Sequence, residues 1–509
     1  MIRKILPGLV AGLFIWLNAC ERPDNFVNEG TLRFNVDTLK FDSIFVNFLT
    51  PSERLIVSNQ TGKNVNVGRI WLESGEASEF NMIVDGIRAN DVQDVEIAND
   101  DSIHIFVNLK SELRDNFKEE YIAFQVGAEV QRVLIRAFVV DGYLLRARLT
   151  RNNDSLTGYY FGKSGVTDTT LTPEKPIIMD GPLVVPEGFT LRIQAGTQLY
   201  FTPYKVEIPL ADGTRTYAFY STLIVGGTLI VEGTTDAPVV FQGSRFDLDY
   251  QENPAQWRGG RFTQNSRDKV IRPPLIKNGV IGMEVDSLAS TANPKVLVQY
   301  SEIRNMSAYG VLGLAVSAAP PGAPPALLME NSLVHNCKDR TLFLKAGGNY
   351  GFYNCTFANF NFFFSRNKAQ FLFSNYFVDI NDVATVYPMT AQLTNCILWG
   401  SEDSEVALDT LPGIPLDFNM DHCLIRYDFV KNEVNIRPYL SNHYENIDPA
   451  FNKPRAFDYR PKAGSPVINT GIDFPVGSTG YQDDFRNRID SLRYDGFDIG
   501  AWEYYPIVE

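Results

Sequence analysis

Between Thr31 and Asp141 apolar and polar residues alternate in short runs divided by polar turns. Leu32-Arg33-Phe34-Asn35-Val36, Leu55-Ile56-Val57, Phe80-Asn81-Met82-Ile83-Val84, Ile103-His104-Ile105-Phe106-Val107 and Val133-Leu134-Ile135-Arg136-Ala137-Phe138 are the clearest. A period of two places successive side chains on opposite faces of a strand, so each run predicts a half-buried strand. About seven such strands over about 110 residues fit an immunoglobulin-like β-sandwich at 31–141. The stretch holds no Cys, so its interior has to rest on apolar packing, with Trp71 and several Phe expected in the core. His104 reads as a structural residue on the polar face of its strand. No chemistry is expected in this domain.

After a connecting segment and cap at 142–187, a second pattern runs over 188–440. It opens with Leu191-Arg192-Ile193-Gln194-Ala195-Gly196-Thr197-Gln198-Leu199 and Leu223-Ile224-Val225-Gly226-Gly227-Thr228-Leu229-Ile230-Val231, short strands punctuated by Gly. A six-position template then recurs: apolar, any, Asn or similar, small, any, apolar. Copies are Met329-Glu330-Asn331-Ser332-Leu333-Val334, Phe352-Tyr353-Asn354-Cys355-Thr356-Phe357, Leu393-Thr394-Asn395-Cys396-Ile397-Leu398 and Met420-Asp421-His422-Cys423-Leu424-Ile425. Val298 to Ile303 and Phe373 to Val378 are looser copies. The third positions 331, 354, 375, 395 and 422 are 23, 21, 20 and 27 residues apart. That period predicts a solenoid. A leucine-rich repeat would show a helical half; the filling here is strands, Gly and Asn, which predicts a parallel β-helix of about ten to twelve coils. Asn331, Asn354, Asn375 and Asn395 are expected one above another at a bend, where Asn tolerates the left-handed conformation.

The same template places Ser332, Cys355, Cys396 and Cys423 in one small inward slot. Three of the thiols are therefore expected as buried core residues, with the Tyr376 coil between Cys355 and Cys396. A disulfide between adjacent occupants stays open. Cys337 follows His335 and Asn336 in an expected loop, and this lone His-x-Cys pair lacks the partners that a nucleophile or metal site needs.

The first twenty residues change the picture of where the protein resides. Arg3 and Lys4 precede the apolar run Ile5 to Leu17, then Asn18-Ala19-Cys20. This is the layout of a signal peptide at 1–19, too short in its apolar core to span a bilayer comfortably. Leu17-Asn18-Ala19-Cys20 resembles the lipobox of bacterial lipoproteins, in which the Cys is acylated. That resemblance implies lipid attachment at Cys20, a membrane partner and an outer-membrane lipoprotein of the cell envelope, with 20–30 as a polar tether. Residues after Ala19 carry 44 Lys plus Arg against 60 Asp plus Glu, which argues against nucleic acid as a partner. Only 4 His are present, so a histidine-rich metal centre is not expected.

The tail at 441–509 carries Ile447-Asp448-Pro449-Ala450-Phe451, Asp458-Tyr459-Arg460-Pro461, Ala463 to Gly471 and Phe497-Asp498-Ile499-Gly500-Ala501-Trp502-Glu503. These segments, with Phe41-Asp42-Ser43-Ile44-Phe45 and the order of lipobox, sandwich and repeats, resemble bacterial surface lipoproteins with right-handed parallel β-helix repeats. The resemblance implies that the tail closes the β-helix, with Asp484, Arg488, Asp498 and Glu503 as an ion-paired cap. It brings no shared catalytic set.

Candidate chemistry concentrates between Trp257 and Lys277. Trp257, Arg258, Arg261, Arg267, Lys269, Arg272 and Lys277 stand there with one acid, Asp268. One reading is a groove for an anionic glycan with Trp257 as a stacking platform; the other is a solvated loop with Trp257 in the coil core. Asp247, Asp249 and Glu252 either supply acids or balance those bases. No calcium loop, Walker or dinucleotide pattern is present, so no metal or cofactor is expected. The extended stretch Ala318 to Pro325 reads as an insertion between coils. Two functions remain open: a non-catalytic glycan or envelope-component binder, and a polysaccharide lyase or glycoside hydrolase acting on an acidic polysaccharide.

Overall fold

The computed structural model describes residues 26–41, 44–46, 52–109, 116–147, 159–161, 165–203, 205–209, 215–219, 221–246, 251–266, 269–286, 293–315, 322–414, 417–432, 434–472 and 496–504. The expected leader with Cys20 lies outside them, as do Arg267, Asp247, Asp249, Asp484 and Arg488 and part of the 318–325 insertion. Among the described residues the protein is all-β with no α-helix, and the chain divides into two compact units after Asp141.

The first unit is a seven-stranded and a five-stranded sheet around one apolar core. Strand Asn64–Leu72 shows how the sequence sets it. Val65, Val67, Ile70 and Leu72 are fully buried, and the residues between them face outward. Trp71 is one of those, so it is half-buried on the outer face and not in the core; Phe41, Phe80 and Phe124 fill the interior instead. The tether is shorter than expected, because Phe26–Val27 already pairs in parallel with Asn64 and Val65.

The second unit winds three parallel sheets, here faces I, II and III, in the manner of a parallel β-helix. Among the described residues, face I has eleven strands from Tyr143–Arg146 to Tyr444–Glu445, face II nine from Tyr159–Tyr160 to Val406–Asp409, and face III ten from Asp168–Leu171 to Leu440–Ser441. The chain visits I, II and III in turn; Leu333–Cys337, Arg340–Ala346 and Gly348–Tyr353 form one coil. Winding therefore starts at Tyr143, well before Gly188. The early coils carry Pro176, Pro182 and Pro186 and lack the Asn template, which hides them in the sequence.

The corner from face III to face I explains the template. Tyr300, Asn331, Asn354, Asn395, His422 and Asn442 all have φ between 42° and 53°, the left-handed region that Asn enters most readily after Gly. The N–H groups of the first five donate to the next coil, Asn331 to Tyr353 O at 3.0 Å and Asn354 to Thr394 O at 3.0 Å. Asn375 is not among them. It follows the face II strand Phe371–Ser374, and its amide bonds Leu411 O at 3.0 Å. The coil from Asn354 to Asn395 is lengthened by the hairpin Tyr376–Val378/Ala384–Val386. Cys355 and Cys396 consequently occupy adjacent coils, as the pairing of Thr356 with Ile397 shows. The amide ladder proper lies at the opposite end of face I. There Asn305 Nδ2 donates to Asn278 Oδ1 at 3.3 Å, Asn336 Nδ2 donates to Asn305 Oδ1, and Asn359 bonds both backbone groups of Cys337.

Cys337 is in a fully buried strand, not a loop, because Asn336 belongs to that second corner. Cys337, Cys355, Cys396 and Cys423 are all free and buried. Burial pushes the Cys337 thiol up to about 12 and raises those of Cys355 and Cys423. A chain beginning at Glu21 should show no reaction with a thiol reagent while folded and four reactive thiols when unfolded. A thiol that reacts in the folded state would contradict this packing.

The tail flanks the coil stack. Phe451, Tyr459, Val467 and Ile499 pack on the outer side of face I against Leu333, Ala358, Ile397, Trp399 and Leu424. Ala501 N donates to Thr356 Oγ1 at 3.0 Å, Gly500 N to Asn395 O at 2.8 Å, and the Asn395 amide exchanges two hydrogen bonds with the Ile472 backbone. Asp498 is buried and accepts from Asn469 N and Tyr504 N, while Glu503 accepts from Asp498 N. These are bonds that tie the tail to itself.

Candidate functional site

The coil that starts at Trp257 returns to the same face after 22 residues, at Gly279, so a basic stretch of that length travels all round the axis. The candidate residues are accordingly dispersed. Trp257 is 1% exposed, stacked on Phe201 with centroids 4.1 Å apart, and donates from Nε1 to Lys277 O at 2.9 Å. It is core and cannot serve as a platform. Lys269 is also buried, Arg272 is exposed on face III, and Lys277 lies on face I. Among the described candidate residues only Arg258 and Arg261 come together, on the outside of face II.

A backbone irregularity makes that possible. Arg258 and Arg261 are three apart in one strand and would ordinarily point to opposite faces. The pairing with Gly279–Asp286 shifts register between Gly259 and Gly260. Gly259 has φ +110°, and a Cβ there would lie 1.5 Å from Ile281 O, so the shift requires glycine. Both arginines then meet acids of the next coil. Arg258 Nη2 is 2.6 Å from Glu284 Oε2, and Arg261 Nη2 is 2.7 Å from Asp286 Oδ2 and its Nε 3.5 Å from Glu284 Oε1. Burial opposes the charge on Arg261, but the Asp286 and Glu284 carboxylates outweigh it and raise its pKa. Lys295 Nζ donates to Asp286 O, and burial brings its ammonium down to about 8 against the pull of Asp286.

Parallel, in-register pairing extends this cluster into two outward rows. Arg261, Glu284, Leu312, Phe343, Leu372 and Ala407 form one; Asp286, Leu314, Lys345, Ser374 and Asp409 form the other. Tyr309 meets Phe343 edge-on at 5.3 Å, Lys345 Nζ lies 5.6 Å from the Phe377 ring, and Tyr376 donates to Asp409 Oδ2 at 2.9 Å. The face is thus charged at one end, apolar and aromatic in the middle, and polar at the hairpin. The sequence reading missed Tyr309, Phe343, Lys345, Tyr376 and Phe377. Only register across coils, which single-strand patterns do not reveal, brings them together.

This arrangement suits binding. Both carboxylates beside the arginines are engaged by guanidinium, Glu284 through both oxygens and Asp286 through Oδ2, while Asp286 Oδ1 is buried without a hydrogen-bond partner. Among the described residues no group of three or more His, Cys, Asp or Glu could hold a metal ion, and no helix is long and apolar enough to cross a membrane.

A second charged cluster lies on face I. Glu252 reaches Lys277 Nζ at 2.7 Å, Arg304 Nη1 at 2.8 Å and Asn305 Nδ2 at 2.6 Å; it balances bases. Glu302 reaches Arg304 Nε and His335 Nε2, both at 3.1 Å. The His335 side chain is 0% exposed, between Tyr459 and Phe457 of the tail at 4.8 and 5.1 Å, and its Nδ1 has no partner. Nε2–H therefore donates to Glu302, and a second proton on Nδ1 would be buried and unpaired. Burial holds the His335 pKa below its ordinary 6.5 despite Glu302. The unfolded chain then takes up this proton first, so stability is full above about pH 6.5 and falls as pH drops below it. Urea midpoints should decrease from pH 7.5 to 5.5, and less so in His335→Gln; equal decreases would contradict the assignment.

The sequence matches no protein-family profile and no curated protein sequence. Among solved structures, the chain is similar to the catalytic unit of a thermostable GH87 α-1,3-glucanase from Streptomyces thermodiastaticus at 8% identity, covering 77% of this chain and 76% of that one with TM-score 0.26. A family 123 glycoside hydrolase from Clostridium perfringens shares 6% identity over 38% of this chain and 44% of its own, with TM-score 0.16. The ASH/PapD-like domain 7 of human CEP192 shares 9% over 24% of this chain and 94% of its own, with TM-score 0.17. Likenesses this slight carry neither activity nor ligand to this chain.

Proposed function

We propose that this protein is a lipid-anchored component of the cell envelope whose coil stack holds a glycan chain along face II without cleaving it. The observation that carries the reading is the pair of in-register outward rows running from Arg261 to Ala407 and from Asp286 to Asp409. Within the rows Glu284, Leu312 and Ser374 are buried, whereas the half-buried Leu314, Phe343 and Leu372, with Tyr309 beside them, suit the C–H faces of sugar rings, and Lys345 and Asp409 suit their hydroxyls. The coils are taken as right-handed, the hand that parallel crossovers nearly always adopt. The first unit is taken as an immunoglobulin-like spacer between Cys20 and the stack. The lipobox-like Leu17 to Cys20 supports the anchor; Cys20→Ala should release the protein from membranes, and unchanged retention on detergent partition would refute it.

The test exposes the chain from Glu21 onward to a broad panel of neutral and acidic polysaccharides and follows reducing ends and unsaturated uronates. Retention on at least one member without product is expected. Arg258→Ala and Arg261→Ala should each leave that retention within about twofold, because each guanidinium is already engaged by Glu284 or Asp286 and the ring-stacking groups Tyr309 and Phe343 lie on later coils. Product that disappears in either variant would establish the lyase or hydrolase instead.

A further inference from the structure

We propose that the first unit carries a binding cleft of its own for a neutral saccharide, separate from face II. A cleft of about 840 Å³ opens on it, lined among others by Arg69, Trp71, Asn81, Ile83, Arg88 and Asn108. Its centre follows from the strand pattern already described. Ile70 and Leu72 point into the core, which leaves Trp71 on the outer surface, half-buried. Arg69 is fixed beside it by two bonds to Asp91, Nε to Oδ1 at 3.0 Å and Nη2 to Oδ2 at 2.7 Å, and its Cζ lies 4.6 Å from the indole centroid. A guanidinium stacked on an indole and locked by a bidentate carboxylate is a rigid wall that needs no ordering on binding.

The chemistry of the lining selects the ligand. Among the described residues, the Trp71 indole N–H, the Asn81 and Asn108 amides and the Arg88 guanidinium have no partner within the protein. Each amide offers both a donor and an acceptor, the pair that a hydroxyl satisfies. The lining carries Arg69 and Arg88 against Glu73, Glu76 and Asp91, and Arg132, which is not in the lining, pairs Glu73 at 2.6 Å, so the formal charges around the cleft sum to zero. A zero sum favours an uncharged ligand, to whose hydroxyls Arg88 can donate. A ligand rich in hydroxyls, with an apolar ring face to lay beside indole and Ile83, meets every group present.

The experiment uses the chain from Glu21 onward and neutral oligosaccharides built from glucose, mannose, galactose and N-acetylhexosamine, with uronate oligosaccharides alongside. Trp257, Trp399 and Trp502 are no more than 8% exposed, so acrylamide quenching of tryptophan fluorescence reads Trp71. At least one neutral member is expected to bind in calorimetry and to cut quenching by half or more. Trp71→Ala and Asn81→Ala should each lower its affinity at least tenfold, and Phe343→Ala on face II should leave it unchanged. Asn81 is exposed, so its variant tests the cleft without a risk to folding. Absence of quench protection across the panel, preference for uronates, or binding indifferent to Trp71→Ala and Asn81→Ala would overturn the proposal. Binding lost only in Phe343→Ala would do so too while upholding face II.

Discussion

Arg366→Ala is expected to lower the unfolding free energy by about 3–5 kcal/mol, the usual cost of stranding one half of a buried ion pair. The Arg366 and Glu405 side chains are 3% and 0% exposed. Arg366 Nη1 donates to Glu405 Oε2 at 2.9 Å, and its guanidinium also bonds Lys368 O and Asn359 O. Glu405 accepts further from Gln370 N at 3.1 Å and Glu402 N at 3.0 Å. This one pair pins the segment between Asn359 on face I and Phe371 on face II to Glu405, which leads into the face II strand Val406–Asp409 of the next coil. Removing the guanidinium leaves a carboxylate with no route to water. The paired replacement Arg366→Met with Glu405→Leu removes both charges and should recover most of the loss, since apolar pairs of similar volume often replace buried ion pairs at little cost. Denaturant unfolding of both variants checks this; a loss below about 1 kcal/mol in Arg366→Ala would contradict the pair's structural role.

Trp257→Ala should cost about 3–5 kcal/mol as well, by leaving a large cavity where a fully buried aromatic stood. Its ring lies flat on Phe201 and lines a small internal cavity together with Leu223, Phe241, Ile276 and Met283. Trp257→Phe keeps most of the volume and loses only the bond to Lys277 O, so it should remain folded and keep any glycan retention intact. A platform residue would behave in the opposite way. Its alanine variant would fold as well as the parent and fail to bind. Unfolding curves read beside polysaccharide retention separate the two outcomes.

How much of this was legible in the sequence varies with the physics involved. Asn331, Asn354 and Asn395 could be aligned because a left-handed corner selects Asn and leaves a fixed mark in the chain. Asn375 carries the same local signature but sits at a different corner, since a hairpin inserted in that coil happens to keep the spacing near twenty. The ladder of Asn278, Asn305, Asn336 and Asn359 escaped notice because its neighbours, Gly279, Met306, Cys337 and Phe360, share no type. Linear crowding of bases suggests a site at 257–277, yet that coil's circumference is about as long, since Trp257 meets Gly279 on the next coil, so neighbours in sequence part company in space. The rows on face II follow the reverse logic. Arg261, Glu284, Leu312 and Phe343 are 23 to 31 residues apart and meet only through register. Trp71 was assigned to the core on hydrophobicity alone, whereas the alternation of Val65, Val67, Ile70 and Leu72 places it outside.

The most direct test of glycan holding along face II is affinity electrophoresis of the chain from Glu21 onward, run beside Phe343→Ala in gels containing each polysaccharide of the panel. Phe343 stands in the middle of the outward row and is only half-buried, so its alanine variant should fold and migrate normally in a plain gel. At least one polysaccharide is expected to retard the parent, and Phe343→Ala to abolish most of that retardation. Equal retardation of the two proteins, or none by any polysaccharide, would contradict it.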